Sequence, residues 1–163
     1  MSRSFCFVTL FAATVTLAAS TVALAQSDPA ALVKQHVEAI ARGDAAGALA
    51  LYADDAVIDG LVGLCAAAPC VGKAAIQKEL EHRVAIHNRG TILKQYVSGN
   101  VVTQRFEVRN DVIQKAGVER IIGWNIIEMK GDKISYTHGA QAERTDSQTA
   151  RFLEWQRAQP PAK

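Results

Sequence analysis

Apolar and polar residues follow two regimes along this chain, helix-like up to about residue 87 and strand-like from Gly90 onward. In the first regime Leu32, Val33, Val37 and Ile40 fall within one sector at about 100° per residue. They predict a helix from about Asp28 to Arg42. Asp28 suits an N-cap, and Pro29 suits the first helical position. Gly43 ends that helix, and Asp44 can cap a second over Ala45–Ala53. Ala56–Asp59 is short and alternating, which predicts a strand. Gly72-Lys73 opens a third helix to about His87, with Ile76, Leu80, Val84 and Ala85 on one side.

The second regime predicts strands over Thr91–Ser98 and Val101–Arg109, joined by the two-residue hairpin signal Gly99-Asn100. A long strand over Val118–Lys130 turns at Gly131-Asp132 into Ile134–Ala142. Asp146–Gln159 reads as a terminal helix with a Phe152/Trp155 docking edge. Segregated helices and strands point to an α+β fold, with helices on one face of the sheet.

The long strand is apolar on both faces. Ile121, Asn125, Ile127 and Met129 share one face; Ile122, Trp124 and Ile126 share the other. If one face packs on helices, the second needs cover. A second copy of the chain, meeting it through Ile122, Trp124 and Ile126, is the economical answer, with the terminal helix as the alternative.

The N-terminus reads differently from the rest. Phe5 to Ala19 is apolar and small, Arg3 is the one charge before Asp28, and Ala23-Leu24-Ala25 is an A-x-A cleavage signal. Residues 1–25 therefore read as a secretory signal peptide, with 26–163 as a single exported domain, periplasmic or secreted. An uncleaved membrane anchor is the competing reading. The formal charge of the 163-residue chain is only +2. With no basic run, nucleic acid and anionic membrane are not expected partners. No G-x-G-x-x-G, phosphate loop or H-E-x-x-H motif is present, so no cofactor or metal is expected. Cys65 and Cys70 form an even pair in an exported chain, which favours a disulfide over free thiols or half of a metal site.

One residue on the apolar side of the first helix does not belong there by hydrophobicity. His36 falls inside the Leu32–Ile40 sector. A buried imidazole needs a partner, so His36 either lines a pocket or is a satisfied core histidine. Asn125 poses the same alternatives on the long strand. Asp59 ends the first strand, and Asp54 and Asp55 suit turns and caps. Tyr52 and Tyr96 are candidates for a ligand wall, with core or interface as the alternative. His82 and His87 stand beside charges and read as solvated, and His138 is open between pocket and interface.

The element order, Arg42-Gly43-Asp44, Leu51-Tyr52-Ala53-Asp54-Asp55-Ala56 and Val71-Gly72-Lys73-Ala74-Ala75-Ile76 together resemble the SnoaL-like, nuclear transport factor 2-like superfamily over about Asp28 to Glu143. The resemblance implies a curved mixed or antiparallel sheet wrapped around three N-terminal helices, a cystatin-like roll with a conical pocket, often dimeric. This fold hosts many functions. The nearest enzyme pattern is similar to ketosteroid isomerase, which needs a carboxylate base and two oxyanion donors. That likeness puts one donor at His36, the other at Asn125 and the base position at Gly60, with Asp59 one residue earlier. His36 would then act as base or donor, Asn125 as oxyanion donor and Asp59 as base. The expected ligand is a small, largely apolar molecule held by His36, Tyr52, Tyr96 and Asn125. The rival expectation is a non-catalytic, dimeric interaction module with a vestigial pocket.

Overall fold

The computed structural model describes residues 28–60 and 63–159. The proposed leader, residues 1–25, lies outside the described residues. Helix α1 (Pro29–Ala41) begins where the Asp28 side chain accepts a hydrogen bond from the Ala30 N–H at 3.0 Å. It ends before Gly43, and Asp44 caps α2 (Ala45–Ala50) by accepting from the Gly47 N–H at 2.7 Å. Strand β1 (Tyr52–Ile58) follows directly. A single 3-10 turn at Leu64–Ala66 and the short β2 (Cys70–Val71) precede α3 (Lys73–Ala85). The meander is β3 (Arg89–Ser98), β4 (Val101–Arg109), β5 (Ile121–Lys130) and β6 (Lys133–Ala142), with α4 (Asp111–Lys115) between β4 and β5. Helix α5 (Ser147–Arg157) closes the described chain.

The six strands form one sheet in the order β2-β1-β6-β5-β4-β3. The pairings are antiparallel except β1 with β6, so the sheet is mixed. Register shifts interrupt β3 between Ile92 and Lys94, and β6 carries extra residues against β5 on both sides of Ile126–Glu128. Such bulges bend a strand and increase its twist, and they give the curved sheet its shape. The helices pack on one face. Gly90, Val108 and Ile121 share that face by register, and Val37 of α1 lies over Gly90.

Several elements differ from the sequence expectation: β2 is absent from it, β5 begins at Ile121 instead of Val118, and β1 and α4 differ for reasons the structure shows. Strand β1 starts at Tyr52, because Tyr52 pairs with Ile134 and the Ile134 N–H donates to the Leu51 carbonyl at 2.8 Å. Asp54 and Asp55 therefore sit at exposed positions of a strand rather than in a turn, ion-paired to Lys73 at 2.7 Å and Lys130 at 3.1 Å. Helix α4 is too short to show a helical repeat in sequence. Its one signal is Asn110, whose side chain accepts from the Ile113 N–H at 2.9 Å.

The core has two parts. The larger joins α1, α2, α3 and the sheet around Val33, Tyr52, Ile58, Ile76 and Leu80. The smaller joins α4, β5 and α5 through Ile113, Val118, Ile121 and Phe152. The buried Thr149 hydroxyl pins α5 to the sheet, accepting from the Ile122 N–H at 2.8 Å and donating to Asp146 at 2.9 Å. On β5, Trp124 and Ile126 face away from the helices as expected. Ile122 does not contribute exposed surface: it is buried at the end of the strand that α5 engages.

Gly123 sits where a side chain has no room. A Cβ there would meet the Gln141 carbonyl at 3.0 Å and the Phe106 ring at 3.3 Å. Gly123→Ala is expected to destabilise the fold by about 1–3 kcal/mol through overpacking, read as a lower urea midpoint. An unchanged midpoint would mean that the Phe106 ring moves aside without cost.

Candidate functional site

A cavity of about 240 Å³ lies between the helices and the sheet. The α5 and α4 side carries Ile113, Phe152 and Trp155, and other walls carry His36, Tyr52, Asp59, Glu79, Arg83, Gln104, Asn125 and Thr137. It is an apolar chamber with polar groups from α1, β1, α3, β4, β5 and β6, the form typical of small-molecule sites.

His36 is on the sheet-facing side of α1, as the periodicity requires. Its Nε2 lies 3.1 Å from the Tyr52 hydroxyl, with the two rings edge to face at 5.5 Å. Which of the two donates depends on the tautomer. Burial away from bulk water, and then the nearby Arg83 charge, push the His36 imidazole down to about 3. Burial also pushes the Tyr52 phenol up. At neutral pH the pair is uncharged. A neutral imidazole so hard to protonate is a hydrogen-bonding group, and a poor general base.

The third helix supplies polar groups that the sequence reading did not single out. Glu79 is fully buried. One carboxylate oxygen accepts from the Arg83 Nε at 2.7 Å, and the other accepts from the Leu64 N–H at 2.7 Å. Gly63, at φ +92°, makes this approach possible, since a Cβ there would lie 2.6 Å from the Glu79 carboxylate. The next residue but one, Cys65, is disulfide-bonded to Cys70, with a Cα separation of 5.2 Å. Glu79 thus ties α3 to the disulfide loop at one edge of the cavity. The i,i+4 spacing of Glu79 and Arg83 was the available sequence signal.

The cavity brings His36, Tyr52, Asp59 and Asn125 to one chamber. Asp59 lies just beyond β1, exposed, with its backbone N–H donating to the Thr137 backbone carbonyl at 2.9 Å. Gly60, where the ketosteroid isomerase likeness puts the base position, also lines the chamber. Tyr96 does not reach it. Its register with Thr103 and Ile126 sets it on the opposite sheet face, 49% exposed and stacked on Trp124 at 6.3 Å. One strand carries residues to both faces, so Tyr96 and the neighbouring Gln95 part company. His82 lines the cavity rather than standing free in solvent. His87 is exposed and bonded to Asp111 at 2.8 Å. His138 is engaged by Glu128 at 2.6 Å and stacks on Tyr136 at 4.1 Å. Among the described residues, no group of three or more His, Cys, Asp or Glu side chains is arranged to hold a metal, and no helix is long and apolar enough to cross a membrane.

The His36 environment has a consequence for stability. A depressed folded value means that the unfolded chain binds the proton more readily between about pH 6.5 and 3. The contribution is full above 6.5 and is lost as pH falls, approaching about 1.4 kcal/mol per pH unit within that window. His36→Gln should therefore lose less stability than the wild type between pH 7 and pH 4 in urea titrations. Equal losses would show that His36 takes up its proton without resistance. Glu79→Ala, which strands Arg83 beside the cavity, should cost about 3 kcal/mol, at the low end for a broken buried pair because Arg83 keeps some solvent contact. The same titration checks it.

Solved structures share this architecture. An NTF2-like protein of Cytophaga hutchinsonii superposes with a TM-score of 0.57 at 11% identity, over 72% of this chain and 92% of that one. The epoxide hydrolase/cyclase-like enzyme SalBIII, named for pyran ring formation in the polyether salinomycin, gives 0.60 at 14% identity, over 72% and 92%. A computationally designed 17-OHP binder gives 0.58 at 16%, over 69% and 88%. At these identities the likeness speaks for the fold alone. No curated protein sequence matches the chain significantly. The model of the SnoaL-like domain matches residues 33–137, nearly all of the helices and sheet just described. With that match and this architecture, the chain belongs to the SnoaL-like domain family.

Proposed function

We propose that this protein is an exported binding protein for a small, largely apolar molecule, which it holds in the cavity between α1, α3 and the sheet. The observation that carries this is the chamber itself: apolar walls on the α4 and α5 side, with His36–Tyr52 and Asn125 among its polar groups. The Cys65–Cys70 disulfide supports an oxidising compartment. An epoxide hydrolase/cyclase-like enzyme and a designed 17-OHP binder have the same fold, which is compatible with a small-molecule ligand here. Proton transfer is the finer form of the proposal. In it Asp59 is the base, the His36–Tyr52 pair and Asn125 are hydrogen-bond donors, and His36 stays neutral throughout. Mass spectrometry of the purified protein, first under native and then under denaturing conditions, tests the binding. A released small hydrophobic molecule is expected, and its yield should fall in His36→Ala and Asn125→Ala proteins that remain folded. Retention of the molecule by both variants would overturn the assignment of the cavity.

A second role is favoured by the opposite sheet face. Ile126 is 42% exposed there beside the Tyr96–Trp124 stack, with the Lys94 ammonium 4.9 Å from the Tyr96 ring centre. This face suits self-association into a two-fold dimer, centred on Tyr96, Trp124 and Ile126 in place of the buried Ile122. Sedimentation at micromolar concentration should give a dimer for the wild type and a monomer for Trp124→Glu. A monomeric wild type ends the idea.

A further inference from the structure

Four buried side-chain atoms have no hydrogen-bond partner among the described residues: Gln95 Nε2, Gln104 Oε1, Asn125 Oδ1 and Thr137 Oγ1. They are not scattered. Gln95 lies opposite Gln104, and Gln104 lies opposite Asn125, so three amides form one row across β3, β4 and β5 on the helix-bearing face. Thr137 stands opposite Ile127, two residues along β5 from Asn125 and on the same face. Gln104, Asn125 and Thr137 all line the cavity, and Gln104 is only 4% exposed. On the same face of β4, its neighbours Val102 and Phe106 are apolar. Sheet interiors do not hold an amide row without partners unless something else pairs with it, because an unpaired buried amide is costly.

We propose that this row recognises a hydroxyl group on an otherwise apolar ligand, with Gln104 as the specificity-determining residue. A hydroxyl donates one hydrogen bond and accepts others. Gln104 and Asn125 carbonyl oxygens accept its proton, while an amide N–H of the row or the Thr137 hydroxyl donates to its oxygen. A primary amide presents both an acceptor and donors whichever way it is turned, so the match does not depend on one orientation. A carboxylate only accepts, so it has no proton to give to any acceptor of the row. A bare hydrocarbon would leave the whole row unpaired. Hydroxyl recognition rests on ligand binding in this cavity, as proposed above, and narrows it to one ligand class.

Titration calorimetry of the full chain with 2-naphthol, 2-methylnaphthalene and 2-naphthoate, three ligands on one skeleton, tests it. The phenol should bind about tenfold tighter than the hydrocarbon, the difference of one or two hydrogen bonds, and tighter than the carboxylate. Gln104→Leu should bring 2-naphthol down to the level of 2-methylnaphthalene and leave the hydrocarbon unaffected. Its melting temperature should be unchanged or raised, since an unpaired amide has been replaced by a packed side chain. Equal binding of phenol and hydrocarbon, or tightest binding of the carboxylate, overturns hydroxyl recognition and leaves the cavity as a ligand site. A Gln104→Leu protein that is destabilised yet still prefers 2-naphthol overturns the role of Gln104. Binding of none of the three overturns both the ligand class and the cavity's function.

Discussion

The parallel pairing of β1 with β6 is the constraint on which the rest of this structure depends. It joins the helical N-terminal part of the chain to the C-terminal end of the meander, with Tyr52 against Ile134 and Ile58 against Thr137. Every other strand pairing could form within a hairpin or a local connection. This one cannot, because its partners lie far apart in sequence, and it closes a long loop before any contact rewards it. Once made, it carries the Tyr52 hydroxyl to His36 and sets Asp59 beside Thr137. The chamber exists where these two parts of the chain meet.

Polar groups inside that chamber fall into two kinds. Glu79 is bonded through both oxygens, and the His36–Tyr52 pair satisfies one nitrogen and one hydroxyl internally. These groups hold α1, α3 and the disulfide loop in place. The amide row is the other kind, buried and unspent. The buried carboxylate is fully paired, whereas Gln104 Oε1 and Asn125 Oδ1, which line the same cavity, have no partner among the described residues, so framework and proposed recognition fall to different groups.

Much of this was legible in the sequence. Helix periodicity places His36 toward the sheet, and alternation along β5 sets Asn125 apart from Trp124 and Ile126, as the register has it. The early start of β1 was hidden because Tyr-Ala-Asp-Asp follows an alanine-rich helix, and only the pairing with Ile134 distinguishes strand from helix end. Tyr96, open in sequence between a ligand wall and core or interface, lies on the outer face; β3 gains an extra residue between Ile92 and Lys94, and a bulged strand does not reveal by alternation which face its aromatics take. Glu79 escaped notice for a different reason. A Glu-Arg pair at i,i+4 looks like a solvated helix face, and burial of the carboxylate depends on Gly63 arriving from outside the helix.

The bulges on β6 carry a consequence of another sort. Between Ile126 and Trp124 the partner strand runs from His138 to Gln141, one residue more than β5 spends. Thr137, on the chamber side, and Gln141, beyond the bulge, keep their faces only because that extra residue is there. Removing it would exchange inside for outside along the end of the strand without altering a single neighbouring amino acid. The lining of the chamber is therefore written in chain length as well as in composition, and descendants of this protein could acquire a new ligand preference by losing one codon rather than by changing one.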